Sequence, residues 1–360
     1  MDYFLSRKEK RVDYRNPKIK NVELRISEKC NLRCPMCWWW GENGVGFKDV
    51  ATDSSRIYNE LSKFDYYAVI DQLKDHQASV TVIGGEPFVR KDAIDIVEYA
   101  CKNLPSASII TNGTLLDQDT IRKLSKIENL EITFSIDGPE NIHDKIRGSG
   151  NFKRTTSAMR ELVRLKGNKE GPIVTSNTTI TPNGVDGLIK TVNDLEILGI
   201  DIIKMQHLWF TNHSYAERHM DDLMMRLKIR DNGAASHIIE EPREMDLEKL
   251  ADTIERIEQT KHSVPILIKP RLTKREIFLY YTNLEFLKRD RCPVAWQTIR
   301  VEPDGNVIFC PDDWISEYKL GNVKDQSIND IWFSERANRF RDTLKRALFP
   351  GCARCCVLNL

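Results

Sequence analysis

Two hydrophobic rhythms alternate along this chain from about residue 20 onward. Short apolar runs and period-two alternation predict strands at Val22–Ile26, Ser79–Ile83, Ala107–Ile110, Leu130–Ser135, Ile173–Ile180 and Ile202–Gln206. Between them, apolar residues return every three or four positions over Tyr66–Asp75, Ala93–Lys102, Thr120–Ile127, Thr155–Leu165 and Leu188–Leu198, the period of a helix with one buried face. Asp92 and Asp117 stand where N-caps belong. Strand–helix alternation at this spacing predicts a parallel α/β sheet with right-handed crossovers. Six units rather than eight predict a partial (β/α)6 barrel of the TIM type, open along one side.

The pattern changes after the sixth strand. Residues 208–290 hold helical periodicity at Asp246–Ile257 and at Lys274–Leu287, with Tyr280 and Tyr281, and a strand-like Pro265–Lys269. Beyond them, Ile299–Phe309 reads as a β-hairpin turning at Asp304-Gly305, and Ile328–Leu344 as a helix. The expected division is an extension (1–20), a barrel (21–210), a helical connecting segment (211–290) and a small hairpin-plus-helix domain (291–360).

Composition narrows the class. The 360 residues carry 54 Lys and Arg against 53 Asp and Glu, a net charge of +1, so no basic footprint argues for nucleic acid. The basic start Arg7–Arg11 is mixed in sign and reads as a solvated tail. No apolar run approaches the ~18 residues needed to cross a bilayer, which argues against a membrane protein. Nine cysteines, an odd number, and a charged start unlike a signal peptide argue for reduced thiols and a cytoplasmic setting.

In parallel barrels the chemistry sits at the carboxyl ends of the strands. Every motif here falls there: Cys30 to Cys37 after the first strand, Gly84 to Pro87 after the second, Thr111-Asn112-Gly113 after the third, Ser135 to Gly138 after the fourth, Thr179 and Ile180 at the fifth, and His207 after the sixth. Cys30-Asn-Leu-Arg-Cys34-Pro-Met-Cys37 is a C-x3-C-x2-C loop. Three thiolates can hold three irons of a cubane cluster and leave the fourth iron open. Structural zinc is the competing occupant, but it takes four N or S ligands, and the next histidine is His76.

The cysteine loop and the following Gly84-Gly85-Glu86-Pro87 resemble the radical S-adenosylmethionine superfamily, over most of the chain. The resemblance implies a 4Fe-4S cluster on Cys30, Cys34 and Cys37 whose open iron binds S-adenosyl-L-methionine. Reductive cleavage of that molecule gives a 5′-deoxyadenosyl radical that abstracts hydrogen from an unactivated carbon. It further implies that Gly84, Gly85 and Glu86 meet the methionine amino group, that Ser135 and Arg147 contact ribose and carboxylate, and that Asn112 and Ile180 lie against the cofactor, Ile180 beside the adenine. The residue before the third cysteine is often aromatic in the family. Here it is Met36, with Trp38 next to Cys37 in compensation.

A second constellation lies downstream: Cys292, Cys310 and Cys352-Ala-Arg-Cys355-Cys356. A hairpin with two thiolates and a C-x2-C beyond a helix supplies four ligands, enough for a closed cluster or for zinc. With Gly305, Gly321-Asn322 and Ile331-Trp332, the arrangement resembles the SPASM family of auxiliary-cluster domains in its shortened "twitch" form. That resemblance implies a second 4Fe-4S cluster on Cys292, Cys310, Cys352 and Cys355, with Cys356 as the substitute for the last. Cys101, on a predicted helix, reads as a buried apolar residue.

The expected activity is therefore a radical oxidoreductase. It would dehydrogenate a small polar metabolite (a sugar, aminocyclitol or antibiotic intermediate), with the auxiliary cluster as electron acceptor and a flavodoxin- or ferredoxin-type protein as reductant. The competing reading is a peptide or protein maturase that forms thioether or carbon–carbon crosslinks, epimerises residues or matures sulfatases. Only about 20 residues precede the first strand, which counts against a peptide-leader domain ahead of the barrel. A non-enzymatic electron carrier or zinc-stabilised binding module is the reading from a different class. No catalytic acid or base stands out; His207, Gln206 and Trp209 are candidates by position alone.

Overall fold

A computed structural model describes residues 12–41, 44–52, 59–167, 171–239, 241–355 and 358. Cys356 and the stretch Arg7–Arg11 lie outside the described residues. The parallel core is β1 (Asn21–Arg25), β2 (Ser79–Ile83), β3 (Ala107–Thr111), β4 (Leu130–Ser135), β5 (Ile173–Ile180) and β6 (Ile202–His207), paired in chain order. Each strand lies within one residue of its predicted span at either end. The connecting helices include α1 (Val45–Thr52), α2 (Lys63–Leu73), α3 (Ala93–Asn103), α4 (Gln118–Leu124), α5 (Glu140–Arg147), α6 (Asn151–Lys166) and α7 (Leu188–Leu198).

The two faces of the sheet differ chemically. Val22, Leu24, Val80, Val82, Ile109, Ile132 and Phe134 form the face packed on the helices, all essentially without exposure. The other face is polar. Arg300, Glu23, Thr81, Ser108 and Glu131 stand in one register row across five neighbouring strands. Ser108 donates to Thr81 at 2.9 Å, Thr133 and Thr175 share a 2.8 Å hydroxyl contact, and Lys204 pairs with Glu131. The open barrel thus has an apolar outside and a hydrogen-bonded polar inside.

The sheet does not stop at six strands. β7 (Ile266–Lys269), within the expected helical connecting segment, pairs parallel with β6. β8 (Thr298–Val301) pairs parallel with β1, and the antiparallel β9 (Asn306–Ile308) and β10 (Gly321–Asn322) complete the order β10-β9-β8-β1-β2-β3-β4-β5-β6-β7. The predicted hairpin turn is present, with Gly305 at φ +93° supplying a conformation that L-residues avoid. Residues 211–290 also carry α8 (His213–Leu227), α9 (Leu247–Gln259) and α10 (Lys274–Thr282). The helix expected at Ile328–Leu344 is two, α11 (Ile328–Trp332) and α12 (Glu335–Arg346), because Ser334 restarts it as a cap on Ala337. Asp117 caps α4 through the Thr120 amide. Asp92 does not cap α3; both its oxygens are drawn to the Arg90 guanidinium, at 2.9 and 2.8 Å.

A buried ion network joins β1 to the auxiliary segment. Asp313 accepts from Arg25 at 2.5 Å and from Arg300 at 2.9 Å. Arg25 also reaches Glu302 at 3.0 Å, and Arg300 reaches Glu23 at 2.9 Å. Burial pushes the Asp313 carboxyl up, but the two guanidiniums outweigh it and hold the pKa below the usual range. Asp313→Ala removes the carboxylate that two buried guanidiniums share and leaves each with one fewer partner. It is expected to cost about 3–5 kcal/mol in denaturant unfolding, with the transition midpoint as readout. A loss below about 1 kcal/mol would place this network among ordinary surface pairs.

Candidate functional site

The cysteine loop is held by the strand that follows it in the sheet. Beyond β1 and β2 the two chains remain zipped: the Gly85 amide donates to the Ser27 carbonyl at 3.0 Å and the Glu86 amide to the Lys29 carbonyl at 2.8 Å. A Cβ on Gly85 would sit 2.3 Å from the Lys29 carbonyl carbon and oxygen and 2.7 Å from the Cys30 nitrogen. The glycine is therefore explained by close approach of the cysteine loop's own backbone. Within the loop, the Cys37 amide donates to the Cys34 carbonyl at 2.9 Å. The sulfurs accept backbone N–H groups, Cys30 from Leu32 at 3.4 Å and Cys37 from Trp40 at 3.2 Å.

Glu86 is fully buried, and it acts as a brace. Its carboxylate accepts from the Thr111 hydroxyl and the Asn112 amide, both at 2.7 Å, and from the Phe88 amide at 3.2 Å. Burial raises its pKa, and these three donors oppose the rise. The sequence suggested a charge partner for a ligand, and in the structure the side chain ties the exits of β2 and β3 together. Asn112 carries the tie on to the cysteines: its amide nitrogen donates to Asn31 at 3.0 Å and lies 3.9 Å from the Cys30 sulfur.

Arg147 is the last residue of α5, and its Nε donates to Asp137 at 2.5 Å. Asp137 in turn accepts from the Thr179 amide at 3.0 Å. The guanidinium acts electrostatically on Cys34 and favours its thiolate, though burial dominates and pushes that thiol up to about 11. Burial pushes Cys30 up to about 12. Ser135 ends β4 half-buried, opposite Asn177. The Ile180 side chain lies in the hydrophobic core. His207 is buried with Nδ1 3.0 Å from the Tyr281 hydroxyl, and Gln206 stands opposite Lys269 of β7. Trp209 stacks on Trp38 at 6.4 Å between centroids.

The second group of cysteines also converges. Cys292, Cys310, Cys352 and Cys355 line one cavity of about 30 Å³, walled by Val294, Phe309, Trp314, Phe340 and other apolar side chains. Burial pushes Cys292 up to about 11, Cys352 up to about 12 and Cys310 well above the ordinary range. The Cys355 thiol bonds to Asp312, whose own carboxyl burial raises to about 7. Four soft donors around an apolar space, and three more of which two accept backbone N–H groups, are donor sets suited to iron–sulfur clusters. Cys101 lies buried on α3, away from both groups.

A family model of the radical SAM superfamily matches residues 24–195, and a model of an iron–sulfur cluster-binding domain, SPASM, matches residues 292–356. An open parallel barrel bearing a three-cysteine loop defines a class of radical enzymes. The chain belongs to the radical SAM superfamily and carries a SPASM domain, and its cofactors are 4Fe-4S clusters and S-adenosyl-L-methionine. It is 28% identical over 346 residues to the Fe-coproporphyrin III synthase of Methanosarcina barkeri (strain Fusaro / DSM 804), covering 94% of this chain and 81% of that protein. It is also 28% identical over 141 residues to the sporulation killing factor maturation protein SkfB of Bacillus subtilis (strain 168), 39% of this chain and 32% of that protein. Among solved structures, Streptococcus suis SuiB bound to precursor peptide SuiA superposes with a TM-score of 0.63 at 14% identity, over 95% of this chain and 71% of that one. At that identity the likeness speaks to the fold.

Sequence reasoning did not single out Asn31, Asp137, Asp312, His237 or Trp314. Asp137 had a signal in Ser-Ile-Asp-Gly at a strand exit. His237 had none, because its neighbours come from other elements. Two outcomes follow. Gly85→Ala should force the cysteine loop away from β2, costing about 1–3 kcal/mol and lowering iron bound per chain; unchanged iron and stability would refute the close-approach argument. Burial also holds His207 at about 3, and His219 and His237 at about 4. Their ordinary pKa is about 6.5, so in acid the unfolded chain takes up protons the folded one does not. Stability should be full above about pH 6.5 and fall toward pH 4, by up to ~1.4 kcal/mol per pH unit per histidine. The Gly351 amide donates to His219 Nδ1, so Nε2 carries the proton given to the Trp314 carbonyl. His219→Phe should flatten the pH slope of the denaturation midpoint by about one proton.

Proposed function

We propose that this enzyme is a maturase that modifies a peptide or protein by hydrogen abstraction. In this reading Cys30, Cys34 and Cys37 hold one 4Fe-4S cluster and leave an iron for S-adenosyl-L-methionine. Gly84 and Gly85 shape the loop around it. Asn112 and Ser135 stand at the adjoining strand ends, Arg147 pairs with the carboxylate of the bound molecule, and Ile180 supplies packing and backbone. Cys292, Cys310, Cys352 and Cys355 hold the second cluster. When bound, the first pair of cofactors supplies a carbon radical strong enough to take hydrogen from an unactivated carbon. The chain's own residues position that chemistry: Glu86 and Asn112 lock three loops together, and Asp137 fixes the guanidinium of Arg147.

The observation that carries the peptide reading is the similarity to a maturation protein, SkfB. An open sheet with β7 and β10 at its edges suits an elongated substrate better than a closed barrel does. A second reading, a tetrapyrrole or other large cofactor as substrate, is favoured by the match to Fe-coproporphyrin III synthase over 94% of this chain. These similarities favour both readings over the expected small polar metabolite (a sugar, aminocyclitol or antibiotic intermediate). A flavodoxin- or ferredoxin-class protein is the proposed reductant, and an oxidative outcome with the second cluster as acceptor remains part of the proposal.

Anaerobic reconstitution should give about eight irons per chain and reductant-dependent 5′-deoxyadenosine. The triple variant Cys30→Ala, Cys34→Ala, Cys37→Ala should make no deoxyadenosine and keep about half the iron. Cleavage by that variant would sink the assignment. Deoxyadenosine formation and a substrate mass change with precursor peptides, but not with an iron tetrapyrrole precursor of iron-coproporphyrin III, would support the maturase reading; the converse supports the second.

A further inference from the structure

A continuous stack of aromatic rings runs from the first cysteine group to the second. Trp38 is bonded in sequence to Cys37 and is half-buried. Its ring stacks on His237 at 5.7 Å between centroids and 29° between planes. His237 stacks on Trp314 at 4.0 Å and 10°. Trp314 is itself a wall of the cavity lined by Cys292, Cys310, Cys352 and Cys355. The rings come from three separate parts of the chain: the cysteine loop, the turn after α8, and the loop after β9.

The middle ring is held from outside the stack. His237 Nε2 lies 2.9 Å from the carbonyl oxygen of Asp312, two residues beyond Cys310. Trp209 backs Trp38 and lies 6.3 Å from His237. Offset-stacked pairs gain only about 0.5–1.5 kcal/mol beyond their burial, so packing alone does not require three faces in line. The other histidine ring contact of Trp314, with His219, is edge-on at 80°.

We propose that Trp38, His237 and Trp314 form an electronic bridge between the two cluster sites, and hence between the substrate and the auxiliary cluster. The proposal rests on the cluster assignments made above and goes beyond them by naming the route. Tunnelling weakens steeply with distance and with gaps, and stacked rings remove the gaps. No ring changes charge in the process. One electron leaves a substrate that has already lost a hydrogen atom, crosses the stack and reduces the auxiliary cluster by one. The substrate's proton goes to solvent, and a flavodoxin- or ferredoxin-class carrier removes the electron afterwards.

The test uses the full chain with both clusters and S-adenosyl-L-methionine bound, without substrate. A single electron is introduced by flash photoreduction, and its distribution between the clusters is followed by freeze-quenched electron paramagnetic resonance. His237→Leu should slow that redistribution by roughly an order of magnitude or more at unchanged iron content. His237→Phe, which keeps a flat ring, should restore most of the rate. An unchanged rate in His237→Leu, or no rescue by His237→Phe, would overturn the bridge. If His237→Leu loses iron, Trp38→Leu at the half-buried end should show the same slowing, and a wild-type rate there would overturn it equally. No substrate enters this measurement, so failure of the maturase reading would appear in the peptide assay and not here.

Discussion

Asp313 is shared by two buried arginines, and the arrangement of both cysteine groups depends on that sharing. Arg25 ends the strand that launches the cysteine loop, and Arg300 lies on the strand beside it. Asp313 itself sits three residues past Cys310 at φ +52°, a backbone conformation uncommon outside glycine, though Asp tolerates it better than most. A single carboxylate thus fixes the end of β1, the neighbouring β8 and the loop that carries an auxiliary cysteine. The Arg25 guanidinium also covers the Trp39 ring at 3.8 Å, which extends the constraint into the three-tryptophan run. Such a network is weak evidence for net stability, because desolvation consumes much of its Coulomb gain. Its effect here is geometric, since no part can shift without leaving a buried charge unpaired.

From that anchor the remaining loops are fastened in sequence order around the open barrel. β1 is tied to β2 through Ser27, Lys29, Gly85 and Glu86. β2 is tied to β3 through Glu86, Thr111 and Asn112, and β4 to β5 through Asp137 and Thr179. Asn112 and Arg147 then reach the cysteines from the side. Each tie uses a buried polar group whose partners are backbone amides or fixed side chains. That is how loops at the mouth of a barrel gain the precision of the strands beneath them.

The six strands, the barrel class and both cysteine groups were legible because each leaves a local signal: a hydrophobic period, a cysteine spacing, a glycine pair. The bracing contacts of Glu86 were not. Its burial depends on Thr111 and Asn112, which lie 25 and 26 residues away and carry no mark of the contact. Asp92 misled for a similar reason, since a neighbouring arginine drew its carboxylate from the helix end. The strand at Ile266–Lys269 was visible as a pattern, but its place beside β6 was not, because pairing is a property of two segments. His237 was invisible altogether. A histidine between unrelated helices gains its meaning only from the tryptophans on either face.

The two sulfur sites occupy unlike surroundings, and the difference bears on what each can do. The first lies at the mouth of a polar barrel floor, with Arg147 beside it and amides aimed at its sulfurs. The second is enclosed by Val294, Phe309, Trp314 and Phe340, with the Asp312 carboxyl bonded to one thiol. Solvent exposure, nearby charge and hydrogen bonds to sulfur are the levers a protein has on a cluster's potential. The guanidinium beside the first site favours an added electron there, and the apolar walls of the second oppose one. The stacked rings connect these two unlike surroundings, as a packed route from the cysteine loop to the apolar cavity.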